Sequence, residues 1–427
     1  MAVVTTDESR GQHRDVYLPP GERSMAHHSY LSPDGRWVLA VLMGDDGSIL
    51  PCRVVAFGGG TQEQIVGPPD ASCTSGAWSP DGKWIYLSSD KGGKFHIWRQ
   101  RFPAGIPEQV TFGPTEEDGI AMAPDGKSLL TSVGLEDSTI WIHNSKGDHQ
   151  LPSERNALNT RFSSDGQKLY YLMQSSQTPD YELWVIELAS GRRDRLLPGY
   201  GVQLSFFVTN YSVSKDGKQV AFARKNAAGV SHLWLAKTDH RSAPLEIPSA
   251  VNEDSPFFLP DGDLIFRARE GGLNFVYRMK PDGSARTKVV GEPMVDLQSV
   301  SPDGRWVVAH AESQDSGHSY AIVAYPLDGG KPVQLCYSLC SADWTASGRF
   351  FYLQVIATGN WNTYMLPLPP GRSLPVSPPG GLGRLEFLKA YTGSLTIPQV
   401  VESAISASLY SYSKKGIRRN IYRIPLP

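Results

Sequence analysis

The sequence predicts an all-β chain folded as a single β-propeller of four-stranded antiparallel blades, and three observations predict it. A Ser-Pro-Asp-Gly-like turn recurs eight times at intervals of 40 to 51 residues, a period that belongs to strand-rich propeller repeats. An aliphatic residue followed by an aromatic one recurs after most of these turns, as in Ile97-Trp98, Leu183-Trp184 and Leu233-Trp234. Glycine (42) and proline (32) are abundant without a collagen period, which suits many short strands joined by tight turns.

In chain order, residues 1–14 are polar and are expected to be a flexible tail, and 15–19 (DVYLP) a closing strand. Eight repeats follow over 20–373, marked by Asp34, Asp81, Asp125, Asp165, Asp216, Asp261, Asp303 and, in a degenerate copy, Ser347. The second repeat shows the chemistry. Ala77 to Ser79 is extended, and Pro80-Asp81-Gly82 turns the chain: proline presets φ, aspartate bonds its own backbone and glycine tolerates positive φ. KWIYLS (83–88) is a near-continuous apolar strand, as expected where neighbouring sheets cover both faces. Residues 95–102 and 108–111 supply a third and a fourth strand. The aliphatic–aromatic pair marks the third strand, also at Ile140-Trp141, Val276-Tyr277, near Tyr364 and at Ile421-Tyr422. Its recurrence points to packing between blades rather than a ligand cage. Residues 374–427 are read as a closing unit that pairs with 15–19, giving nine blades and removing exposed edges; eight blades plus a C-terminal appendage is the alternative.

The repeated W-S-P-D-G-K pattern with its following Ile-Trp resembles the TolB-like, WD-type propeller repeat, clearly from Asp34 to about Leu368. The closing residues Arg418-Arg419-Asn420-Ile421-Tyr422-Arg423-Ile424-Pro425 resemble, more weakly, the end of propeller regions appended to bacterial serine/threonine kinases. These resemblances imply a binding module, in the second case the sensor or interaction region of a signalling kinase. Similar propellers also cap prolyl-oligopeptidase-type peptidases, whose chemistry lies in a separate domain.

Composition narrows the function. The 41 basic and 43 acidic residues leave a formal charge of −2, unlike the strong basic excess of a general nucleic-acid binder. No apolar run is long enough for a membrane helix, and the polar N-terminus lacks a signal peptide's apolar stretch. The expectation is a cytoplasmic monomer, extracytoplasmic if cut from a membrane-anchored parent. Cys52, Cys73, Cys336 and Cys340 are too few for a disulfide framework and are expected to be buried thiols; no second ligand pair accompanies Cys336 and Cys340 for a metal. Kinase loops, a Gly-x-Ser-x-Gly elbow and HExxH are all missing. Gly126-Lys127-Ser128 mimics the end of a phosphate loop, but Ala121 stands where its first glycine is needed. No enzyme activity, metal or cofactor is expected.

Candidate partner-binding residues follow from position in the repeat. Glu116-Glu117-Asp118 and Asn252-Glu253-Asp254 occupy equivalent places just ahead of a unit's first strand, where a ring of acids could hold a cation or a basic peptide; the plain reading is solvated loop acids. The longest interval, Asp165 to Asp216, contains Tyr200, Phe206 and Phe207, aromatics suited to a protein-binding surface if exposed. His27 and His28 lie on the presumed innermost strand of the first unit and are candidate channel residues, although neighbours on a strand point to opposite faces. The expected function is a non-enzymatic protein- or peptide-binding scaffold; the alternative is a small-molecule-binding or catalytic propeller, of lyase or hydrolase type, using its central channel.

Overall fold

The computed structural model describes residues 3–7, 12–19, 24–44, 48–59, 63–152, 156–175, 180–202, 211–226, 229–313, 320–337, 340–357, 360–378 and 381–426. Its architecture is all-β and propeller-like: seven sheets have four strands each, every strand antiparallel to the next. The chain divides into two compact units, Met1–Asp137 with Ser176–Pro179 and Gly416–Pro427, and Ser138–Ser175 with Asp180–Lys415.

Each sheet begins at the turn chemistry read from the sequence. In the first, the Ser32 hydroxyl donates to Asp34 Oδ1 at 2.6 Å, and the same oxygen accepts from the Arg36 N–H at 3.1 Å. The Trp37 N–H returns to Ser32 Oγ at 2.9 Å, and Gly35 takes φ +70°. The Ser–Asp bond recurs at Ser79–Asp81, Ser163–Asp165, Ser214–Asp216 and Ser301–Asp303. Ala123 and Leu259 replace the serine in two copies, and there Asp125 and Asp261 keep the backbone bond from Lys127 and Asp263. In the degenerate copy Thr345 and Ser347 substitute their hydroxyls at 3.1 Å. The aspartates follow this chemistry. The Ser32 hydroxyl, with the Arg36 N–H, holds the Asp34 carboxyl down at about 2, and Asp81, Asp165 and Asp216 are lowered first by their own serines.

The first unit stacks three sheets. The first contains Met25–Leu31, Trp37–Met43, Arg53–Ala56 and Glu63–Ile65; the second Cys73–Trp78, Trp84–Ser89, His96–Arg101 and Glu108–Gln109. Leu39, Val41, Val54, Trp78, Ile85 and Leu87 fill the space between them. The approach is close enough that a Cβ on Gly76 would sit 2.5 Å from Leu39 Cδ2. The third sheet joins Glu116–Met122, residues 128–137 of the strand Ser128–Asn144, and residues 416–425 of the strand Leu409–Pro425. The closing strand expected at 15–19 does not pair with the C-terminal segment. Gln12–Tyr17 forms a hairpin with Val3–Asp7, because Val16 finds an apolar seat on Val38 and Val55 of the first sheet. The expected flexible tail is thus partly strand.

The second unit closes on itself. Its five four-stranded sheets start at Ala157–Phe162, Tyr211–Val213, Glu253–Phe258, Asp296–Val300 and Cys340–Trp344. A sixth is assembled from both ends of the unit: Val401–Ser406, residues 409–415, residues 138–144 and Gly147–Gln150. This clasp sheet meets the first of the five through Ile140, Ile142 and Ile405 against Leu169 and Tyr171. It meets the last through Val401, Ala404 and Tyr412 against Tyr352 and Met365. His143 stacks on Tyr410 at 4.6 Å, and the Lys414 ammonium lies 3.6 Å over the Trp141 ring. The C-terminal segment therefore closes on 138–150, not on 15–19. Aromatics of the third strand pack between sheets, Trp184 in the apolar layer with Ile140 and Tyr171 and Trp234 in that with Tyr170 and Phe222; Ile421-Tyr422 departs from the expectation and is exposed.

Candidate binding face and inner strands

The first strand of each sheet in the second unit presents a bare edge to the next sheet, and unpaired backbone there is costly. Side chains cover it. The Thr160 N–H donates to Glu402 Oε2 at 2.8 Å and the Phe162 N–H to Ser403 Oγ at 3.0 Å. The Phe258 N–H donates to Ser212 Oγ at 3.2 Å, and Ser299 Oγ donates to the Ala342 carbonyl at 2.8 Å.

Among these strands stands one ion pair that skips a sheet. Arg161 Nη1, on 157–162, lies 3.1 Å from Asp343 Oδ2, on 340–344. Asp343 also accepts from the Tyr352 hydroxyl at 3.1 Å and the Trp344 N–H at 2.8 Å, and the guanidinium lies 6.0 Å from the Phe257 ring centre. Burial pushes the Asp343 carboxyl up, against the pull of Arg161. It also raises the Tyr352 and Tyr211 hydroxyls. Chemically this is a neutralised, hydrogen-bonded cluster.

The acidic triplets are not an open ring. Glu117 is buried; its Oε2 takes His96 Nδ1 at 2.9 Å and the Thr111 hydroxyl at 2.7 Å, both from the preceding sheet. Glu253 is buried completely and paired with Arg286; burial pushes its carboxyl up, with Arg286 opposing. Asp254 is clamped by Arg267 at 2.6 Å. The physical reason is positional: these acids stand on the first strands themselves, within reach of His96 of the preceding sheet for Glu117 and of Arg286 and Arg267 of the same repeat for Glu253 and Asp254. Glu116 lies 3.9 Å from Arg419. Asp118 and Asn252 are exposed, Asp118 accepting from Thr74 at 3.2 Å and Asn252 from the Ser231 N–H at 2.8 Å. The missed signal was in the sequence. His96 and His232 both stand one residue before the aliphatic–aromatic pair, and the latching glutamates follow each at the same spacing. The His232 ring also favours the Glu253 carboxylate.

Tyr200 is half-buried, packed on Trp234 at 5.8 Å with Arg224 over its ring, so it packs against its neighbours and is not the exposed contact expected of it. Phe206 and Phe207 lie outside the described residues. His27 and His28 are both exposed; a bulge between Ala26 and His28 breaks the alternation and brings their rings to 4.4 Å. Among the described residues no group of three or more His, Cys, Asp or Glu could hold a metal ion. The cysteines differ from expectation: Cys52 is bonded to Cys73 and Cys336 to Cys340. Each pair ties one sheet to the first strand of the next, where the turns bring two thiols together that are too far apart in type of element to be paired from spacing.

Five exposed apolar side chains of the second unit lie at one end of its sheets, while Leu245, Val376 and Leu395 are exposed elsewhere. In a meander of four strands the second-to-third turn and the link into the next sheet lie at the same end. Ile356 and Trp361 face each other across such a turn, and Tyr320 follows another. Val251 and Val400 lie on links between sheets. All five are substantially exposed. Elsewhere in this unit, Pro367, Pro369, Pro378, Phe387 and Tyr391 line an open groove of about 700 Å³.

Comparison with known proteins agrees on the repeat. The WD domain, G-beta repeat, matches residues 61–99, from the last strand of one sheet into the third of the next. No curated protein matches the chain. Among solved structures, TolB from Acinetobacter baumannii is similar at 14% identity over 70% of this chain and 76% of that one, with a TM-score of 0.42. Oligogalacturonate lyase from Vibrio parahaemolyticus is similar at 13% over 80% and 96%, TM-score 0.39. Dipeptidyl peptidase 4 from Porphyromonas gingivalis is similar at 11% over 79% and 57%, TM-score 0.33. None of these superpositions is close enough to transfer a site. The WD-type repeat is matched over residues 61–99, and the recurring turn and the four-strand plan carry the same β-propeller architecture through the other four-stranded sheets.

Proposed function

We propose that the chain is a non-enzymatic protein- or peptide-binding scaffold. Its partner face is the end of the second unit that carries Tyr320, Ile356, Trp361, Val251 and Val400. The observation that supports this reading is a division of labour: five exposed apolar groups sit together on turns and links at one end, while the ionisable groups of the inner strands are committed to one another. Rigid sheets hold such loops at fixed positions, which suits broad recognition without movement. Aromatic anchors such as Trp361 carry a disproportionate share of binding energy. The kinase-linked sensor role stays within this reading as one setting for such a face. Four paired cysteines favour an oxidising compartment over the cytosol expected from the sequence. No helix among the described residues is long and apolar enough to cross a membrane.

The test is photo-crosslinking from position 361 in the full chain, with mass spectrometry of the captured partner, repeated with Ile356→Ser. One partner lost on that substitution supports the face; capture unchanged by it removes the face from consideration. A second reading, a small-molecule site on the inner strands, is favoured by the Arg161–Asp343–Tyr352 cluster. A ligand that raises the melting temperature of the wild type, but not of Arg161→Lys, would replace the first reading by the second.

A further inference from the structure

Seven sheets of the molecule have four strands. An eighth sheet has five, and its part in the first unit consists of three strand segments: Glu116–Met122, residues 128–137 and residues 416–425. The strand Val401–Ser406 pairs with Leu409–Pro425 only from Leu409 to Tyr412. Beyond that point, among the described residues, 128–137 lies on one side of 416–425 and no strand lies on the other. Among the described residues, the place filled elsewhere by a fourth strand is a bare edge.

We infer that this edge takes an extended, acidic strand from another protein as the fourth strand of the sheet. Main-chain bonds to a free edge supply affinity, and alternate side chains supply specificity. The side chains here say what kind of strand fits. Ile417 is 64% exposed, Ile421 77% and Tyr422 51%, beside Leu130 at 44% on the neighbouring strand. Arg418, Arg419 and Arg423 all lie within 416–425, and no carboxylate does. Arg419 is held near Glu116 and Arg423 donates to Ser128, whereas Arg418 is exposed. A second copy of this edge would set cation against cation, and like charges facing each other across a strand pair are destabilising. An incoming strand that alternates carboxylates with β-branched residues meets the charge and covers the isoleucines. This site belongs to the first unit and is independent of the loop face proposed above.

The experiment uses the full chain and a labelled peptide of about ten residues alternating glutamate and valine, long enough to span the edge. Binding is followed by fluorescence anisotropy. The expected result is saturable binding at low salt that weakens several-fold in Arg418→Glu and is lost when alternate peptide amides are N-methylated. The N-methylated peptide tests the wild type itself, so the proposal does not depend on the variant folding. No binding, equal binding of a lysine–valine peptide, or equal binding of the N-methylated peptide would each overturn it. So would sedimentation showing a wild-type dimer that Ile421→Lys dissolves, because the occupant would then be a second copy.

Discussion

The second unit spends its two ends on itself, whereas the first leaves one open. In the second, residues 138–150 and 401–415 meet in one sheet that touches both the first and the last of the other five. In the first, the hairpin of residues 3–17 covers the outer face of one end sheet, and the other end stops at three strands with Ile417 and Ile421 exposed. Both are built from the same turn and the same strand order. What separates them is whether the chain returns with a strand to fill the last place. Local repeat chemistry makes the sheet; chain return makes the ring.

The largest effect that would break this contrast lies in the clasp. Tyr412→Ala removes a side chain buried at 1% exposure, with an expected loss of about 3–5 kcal/mol. Hydrogen exchange should then quicken in 157–162 and 340–357 alike, since both sheets flank the clasp. Faster exchange confined to 138–150 would mean that the ring is not a cooperative unit.

Next comes the ion pair. Arg161→Ala strands Asp343, and breaking a buried pair costs about 3 kcal/mol at the low end of its range. The low end applies because the two side chains keep 27% and 20% of their surface. Urea denaturation should show the Arg161→Ala/Asp343→Ala double variant losing less than the two single losses added together. Simple additivity would dissolve the cluster into independent groups.

The disulfides sharpen the contrast between units. Cys52–Cys73 closes a separation of 21 residues and Cys336–Cys340 one of 4. Chain-entropy reasoning gives about 3 kcal/mol for the longer loop and less for the shorter. Reductant should therefore lower the stability of the first unit more than that of the second, read by exchange in each. The opposite order would show that entropy of the unfolded chain is not what these bonds act on.

Acid acts more gently, turn by turn. Asp34 lies near 2 in the folded chain against an ordinary 3.8, and Asp81, Asp165 and Asp216 are also depressed. A depressed carboxyl contributes stability above its unfolded value and loses it as pH falls through the folded one. Urea midpoints should thus be flat above about pH 5 and fall between about 4 and 2. Exchange near the Thr345–Ser347 turn, which has no aspartate, should respond least. A uniform response would assign acid sensitivity to other carboxylates.

The turns and the aliphatic–aromatic marker were legible because each depends on a few adjacent residues. Ser79, Asp81 and Gly82 dictate their own geometry, and Trp184 and Trp234 announce a packing layer by recurrence. The clasp was not legible. Residues 128–144 run as one strand of 17 residues because no proline, asparagine or glycine pair interrupts 135–143, where other repeats turn; the short interval from Asp125 to Asp165 was the trace of that missing turn. The partner of a strand's edge is a long-range fact that local chemistry does not carry. The acids stand on the first strands rather than in the loops ahead of them, and their exposure depended on His96, Arg286 and Arg267, which arrive from other strands.

One junction has a practical meaning. Asp137 and Gly416 are so near that a Cβ on the glycine would meet the aspartate oxygen at 2.1 Å, and everything from 138 to 415 leaves and comes back between them. In biosynthesis the N-terminal unit must wait, its third sheet lacking a strand until the whole intervening stretch has been made. For the engineer the same junction is a splice point: a short turn joining 137 to 416 would excise the guest and leave the host with an ordinary hairpin.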